Sequence, residues 1–205
     1  MIYSYGVTLP GTYHVKNDIV CQDAHSIVKC GDDFVIAAVA DGLGSETHSD
    51  IASKIAAELS TEYCRQNLTQ ESNADEILSV ISMSFANAQR AIEEEAESNN
   101  HDINQYDTTL SLAVLINETL YYGHSGDGGI VALTTEGRYE KVTEQQRDAE
   151  GYVFPLFFED MWVFEQYDRK VCSVFLATDG IYETLFPYLI RKEPATIAMC
   201  SSLIT

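Results

Sequence analysis

The chain has 205 residues, with 12 Lys and Arg against 32 Asp and Glu, a formal net charge of −20. A hydrophobic fraction of 45%, with 12 Tyr and 8 Phe, is that of a folded chain with one sizeable core, and it argues against intrinsic disorder. No run of Lys or Arg suits a nucleic-acid backbone, and the longest apolar runs, 34–40 and 112–116, fall far short of the ~20 residues of a membrane helix. The five cysteines (Cys21, Cys30, Cys64, Cys172 and Cys200) show no zinc-finger spacing. Together with an N-terminus lacking a basic, then apolar, leader, they predict reduced thiols in a cytoplasmic protein.

In chain order, 34–40 is a continuous apolar run with β-branched members that stops at Asp41-Gly42, the pattern of a strand buried on both faces. Residues 49 to about 66 repeat Ile51, Ile55, Leu59 and Tyr63, with Ala52 and Ala56 beside them, which predicts a helix burying that stripe. A second helix runs from about 74 to 98 on Ile77, Val80, Ile81, Phe85, Ala88 and Ile92, opened by the capping arrangement Ser72-Asn73-Ala74-Asp75. Its Glu93-Glu94-Glu95-Ala96-Glu97 end opposes the helix dipole and is expected to fray.

Strands then return. The runs 109–116 and 119–124 flank Asn117-Glu118, the spacing of a two-residue hairpin. Gly126-Asp127-Gly128-Gly129 is a tight loop before a strand at 130–133, and Gly137 turns into 139–142, which pairs back. A further buried strand, 171–177, ends in Thr178-Asp179-Gly180. Trp162, with Phe154, Phe157, Phe158 and Phe164, makes an apolar flap or core segment. Hairpins with an inserted helix pair predict an α+β fold with mainly antiparallel sheet, in a single domain spanning 1–205.

Two apolar strands thus end in an aspartate followed by glycine, at Asp41-Gly42 and Asp179-Gly180. Taken singly, each is ordinary turn chemistry. With Asp23 and Asp127 in comparable loops, four acids from four segments make a candidate site for hard divalent cations, which prefer carboxylate, carbonyl and water oxygens. No His spacing suits zinc, and no nucleotide-binding glycine loop is present.

The succession Cys-Gln-Asp-Ala (21–24), Val-Ala-Asp-Gly-Leu-Gly-Ser (39–45), Asp-Thr-Thr-Leu (107–110), Ser-Gly-Asp-Gly-Gly-Ile (125–130) and Leu-Ala-Thr-Asp-Gly-Ile-Tyr-Glu (176–183) resembles the metal-dependent type 2C protein phosphatases, and most of all their shorter bacterial branch. The resemblance covers about residues 5–185. It implies an αββα sandwich of two antiparallel sheets flanked by helix pairs. It also implies two Mn2+ or Mg2+ ions, with a third labile one, that hydrolyse phosphoserine and phosphothreonine in a phosphoprotein through a metal-activated water; the composition and run lengths above predict no membrane or nucleic-acid partner. By motif, Asp41 would bridge the metals, the Gly42 carbonyl would ligate one and Asp179 the other. Asp23 would act through metal-bound water, and Asp127 would match the acid of the third ion.

Three departures accompany the resemblance. Gln22 stands where many members carry Glu. The upstream phosphate-binding Arg has no match; His14 stands near that place, as a phosphate ligand or general acid or as an ordinary hydrogen-bonded histidine. No Asp-Asp or Asp-Asn strand start follows residue 185, so the chain is expected to lack the family's last strand. These departures motivate an alternative reading, a weakly active or inactive module that binds phosphoproteins.

Overall fold

The computed structural model describes residues 1–182. A short exposed helix, α1 (Thr12–Asn17), is followed by strands β1 (Asp23–Lys29) and β2 (Phe34–Asp41), then by helices α2 (Ser49–Asn67) and α3 (Ala74–Asn99). Strands β3 (Leu110–Ile116), β4 (Thr119–Ser125), β5 (Gly129–Thr134), β6 (Tyr139–Lys141) and β7 (Val163–Ala177) complete the set, and residues 179–182 are helical again.

All neighbouring strands run antiparallel, in the order β1-β2-β3-β4-β7-β5-β6. The 15-residue β7 joins two sheets: its first half pairs with β4 and its second half with β5. Side-chain alternation then builds the layers, because successive residues point to opposite faces. Leu110, Leu112, Val114 and Ile116 of β3, with Phe34, Ile36, Ala38 and Ala40 of β2, pack under α2 and α3. Ala113, Leu115, Val35, Leu120 and Tyr122 face the other way, onto Ile130, Ala132 and Val171. On the outer side of β5, Val131 and Ala177 meet Tyr182. This is the expected α+β sandwich, with one helix pair and two sheets among the described residues. The expected absence of the family's last strand concerns residues beyond 185, which lie outside the described residues.

Several expectations were met closely. Asn73 and Glu76 form a reciprocal capping box at the start of α3. Asn117 and Glu118 both take positive φ (50° and 64°), as a primed hairpin turn requires to match the strand twist.

Other expectations need correction. In α2 the buried face is Ser49, Ala52, Ser53, Ala56, Ala57, Ser60, Thr61 and Cys64, whereas Ile51 and Ile55 are only half-buried and Leu59 is 41% exposed. The helix is wedged against β1, β2 and α3, and small residues permit that close approach where a Leu/Ile stripe would hold the layers apart. The acidic end of α3 does not fray: Ala96 is buried and the helix closes on left-handed Asn100, whose N–H reaches the Ala96 and Glu97 carbonyls. The expected strand at 171–177 is only the second half of β7. Residues 163–170 lack a clean alternation because most are exposed or half-buried. The flap-or-core reading of the aromatic segment needs no correction: Trp162 is half-buried against the core, its Nε1 donating to the Leu156 carbonyl at 2.8 Å and its ring edge-on to Phe85, while Phe157 and Phe158 stay exposed.

Candidate active site

Register brings the first two acids together. Asp23, first residue of β1, lies directly opposite Asp41, last residue of β2, because the two strands pair without a slip. The ends of β5 and β7 contribute the others: Gly129 pairs with Ala177, so the loops carrying Asp127 and Asp179 leave the second sheet side by side. Four aspartates far apart in sequence therefore meet where the two sheets end.

The backbone around Asp41 is held tightly. Its N–H donates to Thr109 Oγ1 at 3.0 Å, and its carbonyl accepts from the Thr108 hydroxyl at 3.0 Å and the Thr109 N–H at 2.8 Å. The Asp-Thr-Thr segment thus serves as a clamp on the end of β2. Gly42 donates its N–H to the Gln22 carbonyl at 3.0 Å, and a Cβ there would lie 2.5 Å from the Ser49 carbonyl oxygen and 2.8 Å from that of Gln22. Only glycine lets the 42–49 loop cross so near. Gln22 secures the same loop, its Nε2 donating to Ser49 Oγ at 2.7 Å and the Glu46 carbonyl at 3.2 Å. Gly126, at φ 108°, makes the turn that presents Asp127 and leaves no room beside Thr109 for a side chain.

The electrostatics follow from crowding like charges. Burial, and then repulsion from Asp23, Asp179 and Asp127, pushes the Asp41 carboxyl up to about 9, and it hydrogen-bonds with its neighbours Asp23 and Asp179. Burial raises Asp23 as well; Asp179 adds to this, while bonds from Asp41 and Thr178 and the nearness of His14 oppose it. Thr178 Oγ1 lies 3.4 Å from Asp23 Oδ2. His14, on exposed α1, is therefore close enough to feel the centre, and its buried Nδ1 has no hydrogen-bond partner among the described residues.

All six residues singled out from sequence (His14, Asp23, Asp41, Gly42, Asp127 and Asp179) fall at this one place. Asp107, of the Asp-Thr-Thr-Leu motif, is raised to about 6 by burial and by Glu46, and its carbonyl receives the Leu43 N–H. Arg147 was not flagged, yet its guanidinium sits 2.5 Å from Asp127 Oδ2 and 3.3 Å from Asp179 Oδ2. Its one visible signal is isolation, since it is the sole Lys or Arg between Lys141 and Arg169. His124, by contrast, is a structural residue. It is buried between Ser111 Oγ and the Glu144 carbonyl, and burial lowers it to about 4, which keeps it neutral.

The donor set of carboxylate oxygens, with a loop that only glycine fits, suits a hard cation rather than zinc. Among the described residues, no three His, Cys, Asp or Glu side chains yet converge on one point. The carboxylates are neighbours with mutual repulsion, and a guanidinium stands between two of them.

The family model for protein phosphatase 2C matches residues 10–203. The chain belongs to the protein phosphatase 2C family. Solved structures agree on the fold. The serine/threonine phosphatase Stp1 from Staphylococcus aureus is 13% identical, with 89% of this chain and 82% of that one covered at a TM-score of 0.59. Serine-threonine phosphatase 2C from Toxoplasma gondii is 15% identical over 90% and 86%, at 0.60. RsbX, solved in complex with magnesium, is 17% identical over 91% and 81%, at 0.55. No curated protein matches the sequence significantly. At these identities the neighbours establish a common protein phosphatase 2C architecture, and the chemistry of this member must be argued from its own residues.

Proposed function

We propose that this member of the protein phosphatase 2C family is a divalent-cation-dependent phosphatase acting on phosphoserine and phosphothreonine in proteins, in the cytoplasm, as a single phosphatase-like unit over residues 1–205. The observation that supports the reading is that Asp23, Asp127 and Asp179, from three separate segments, are electrostatic neighbours of Asp41 at one end of the sandwich. Mutual repulsion of this kind destabilises a fold, and it persists where a function uses it. Asp23, Asp41, Asp179 and the Gly42 carbonyl would hold two Mn2+ or Mg2+ ions, with Asp127 available to a third. The bound ions would supply an activated water and neutralise the phosphoryl oxygens.

The chain's own residues do the rest. The Thr108–Thr109 clamp fixes the Asp41 backbone at the end of β2, and the Gln22–Ser49 bond holds the Gly42 loop beside it. His14, whose Nδ1 is buried and unpartnered among the described residues, is placed to orient a phosphate oxygen or to give a proton to the departing alkoxide. The magnesium held by RsbX supports the choice of hard cations.

The test is hydrolysis of para-nitrophenyl phosphate and a phosphothreonine peptide by metal-stripped protein, with and without Mn2+. Turnover that needs Mn2+ and vanishes in Asp41→Asn, with Asp127→Asn milder, is expected. Metal-independent turnover, or none with metal bound, refutes the reading. One observation favours a second reading, a phosphoprotein-binding module of low activity. Gln22, where many members carry Glu, spends its amide on the 43–49 loop and offers no charge to a cation. Phosphopeptide binding in EDTA, without Mn2+ uptake, would select that module.

A further inference from the structure

Arg147 reaches the acidic centre from a segment built to deliver it. On one side, Gln145 Nε2 donates to the Asp127 carbonyl at 2.6 Å. Gln146 exchanges bonds with Gly126, its N–H to the glycine carbonyl and its Oε1 from the glycine N–H, both at 2.9 Å. Its Nε2 also holds the Met161 carbonyl at 2.7 Å. On the other side, Asp148 Oδ1 accepts from the Glu150 and Tyr152 N–H groups, closing a turn through left-handed Gly151 so that Arg147 pairs back with Val153. The segment is thus tied to the very loop that carries Asp127. The guanidinium lands on Asp127, whose side chain is only 4% exposed, and reaches Asp179 as well.

We propose that Arg147 is the resident counter-cation of the acidic centre, holding Asp127 and Asp179 in the metal-free protein and competing with a divalent ion for those carboxylates. The inference rests on reading these acids as metal donors. The physical ground is simple. A buried carboxylate needs a positive partner, and a charge-assisted bond at 2.5 Å uses the Asp127 oxygen that a cation would also need. Guanidinium and metal cannot both occupy one oxygen lone pair at bonding distance, so each weakens the other's hold by the same factor. Arg147 acts as a positioning residue, setting which carboxylates are open to an ion and how tightly they take it.

Calorimetric titration of Mn2+ into metal-stripped wild type, Arg147→Gln, Arg147→Lys and the double variant Arg147→Gln/Asp127→Asn tests this without recourse to activity. Arg147→Gln should gain about tenfold in affinity at one class of site, Arg147→Lys should fall between it and wild type, and the double variant should lose the gain. Equal or weaker Mn2+ binding by folded Arg147→Gln overturns the competition. No Mn2+ binding by wild type overturns the metal reading itself, a different failure. If Arg147→Gln does not fold, the wild type still decides. The Arg147 Nε–H resonance should move, and exchange faster with water, as Mg2+ is added; a resonance unchanged at saturating Mg2+ refutes the proposal.

Discussion

Replacing Asp41 by asparagine should stabilise the metal-free protein while removing its activity. Asp41 is encircled by Asp23, Asp179 and Asp127, and burial with their charges holds its proton up to about 9. The sign follows from linkage. A carboxyl raised in the folded state contributes fully below its unfolded value of about 3.9 and progressively less as pH climbs toward the folded value. The metal-free wild type should therefore lose stability steadily from about pH 4 to about pH 9. Each pH unit is worth about 1.4 kcal/mol for one group, so the interval to pH 7 corresponds to about 4 kcal/mol at most. Asp23 is raised too and shares the burden, so about 2 kcal/mol should return when Asp41 becomes a neutral amide of the same shape. For a chain of this size that is a gain of about 4–8 °C in Tm. The assay is thermal unfolding in EDTA at pH 5, 7 and 8.5, followed by circular dichroism. Asp41→Asn should melt higher than wild type at pH 7 and 8.5, with the gap narrowing at pH 5. Under the proposed function, saturating Mn2+ should reverse the order, because the wild type would bind the ion and the variant would have lost one of its donors. A wild-type Tm that is flat or rising from pH 5 to 8.5 in EDTA, or an Asp41→Asn protein no more stable than wild type, would refute the reasoning.

Three other changes probe the frame around the centre. Gly42→Ala drives a methyl group to 2.5 Å from the Ser49 carbonyl oxygen, so it should cost about 1–3 kcal/mol in urea unfolding and abolish Mn2+-dependent turnover by moving the loop. Glu118→Gly removes a left-handed non-glycine residue from the β3–β4 hairpin, and a rise of about 0.5–1 kcal/mol by the same measurement is expected, with no change in metal binding. Phe85→Ala empties the fully buried contact of α3 with Trp162 and Phe164; a loss of about 3–5 kcal/mol should follow, readable as a large fall in the urea midpoint.

Much of this was legible in the chain. The strand ending at Asp41 and the two helices follow from period and punctuation, and the Asn117-Glu118 turn from spacing. The burial of α2 was not legible. Periodicity marks the greasiest stripe, but the face that packs was chosen by how near the sheet and α3 lie, and the smallest residues won. The first half of β7 was hidden because a strand with most of its residues exposed or half-buried leaves little pattern. In the candidate site, Asp41 and Asp179 were visible as strand-end acids, because a buried strand stopped by Asp-Gly is a local signal, whereas Asp23 and Asp127 were visible only as acids in comparable loops.

The sequence by itself marked the candidate site residues: oxygen donors beside strands, in an order that resembles the protein phosphatase 2C family to which the chain belongs. Only the tertiary structure decided how they meet. The unslipped β1–β2 register sets Asp23 opposite Asp41, and the β5–β7 pairing brings the Asp127 and Asp179 loops side by side. A loop tied down by Gln145 and Gln146 places a guanidinium between the last two. Local pattern encodes what each segment is, whereas charge crowding, ion pairing and the raised Asp41 carboxyl arise from through-space distances that no single segment contains.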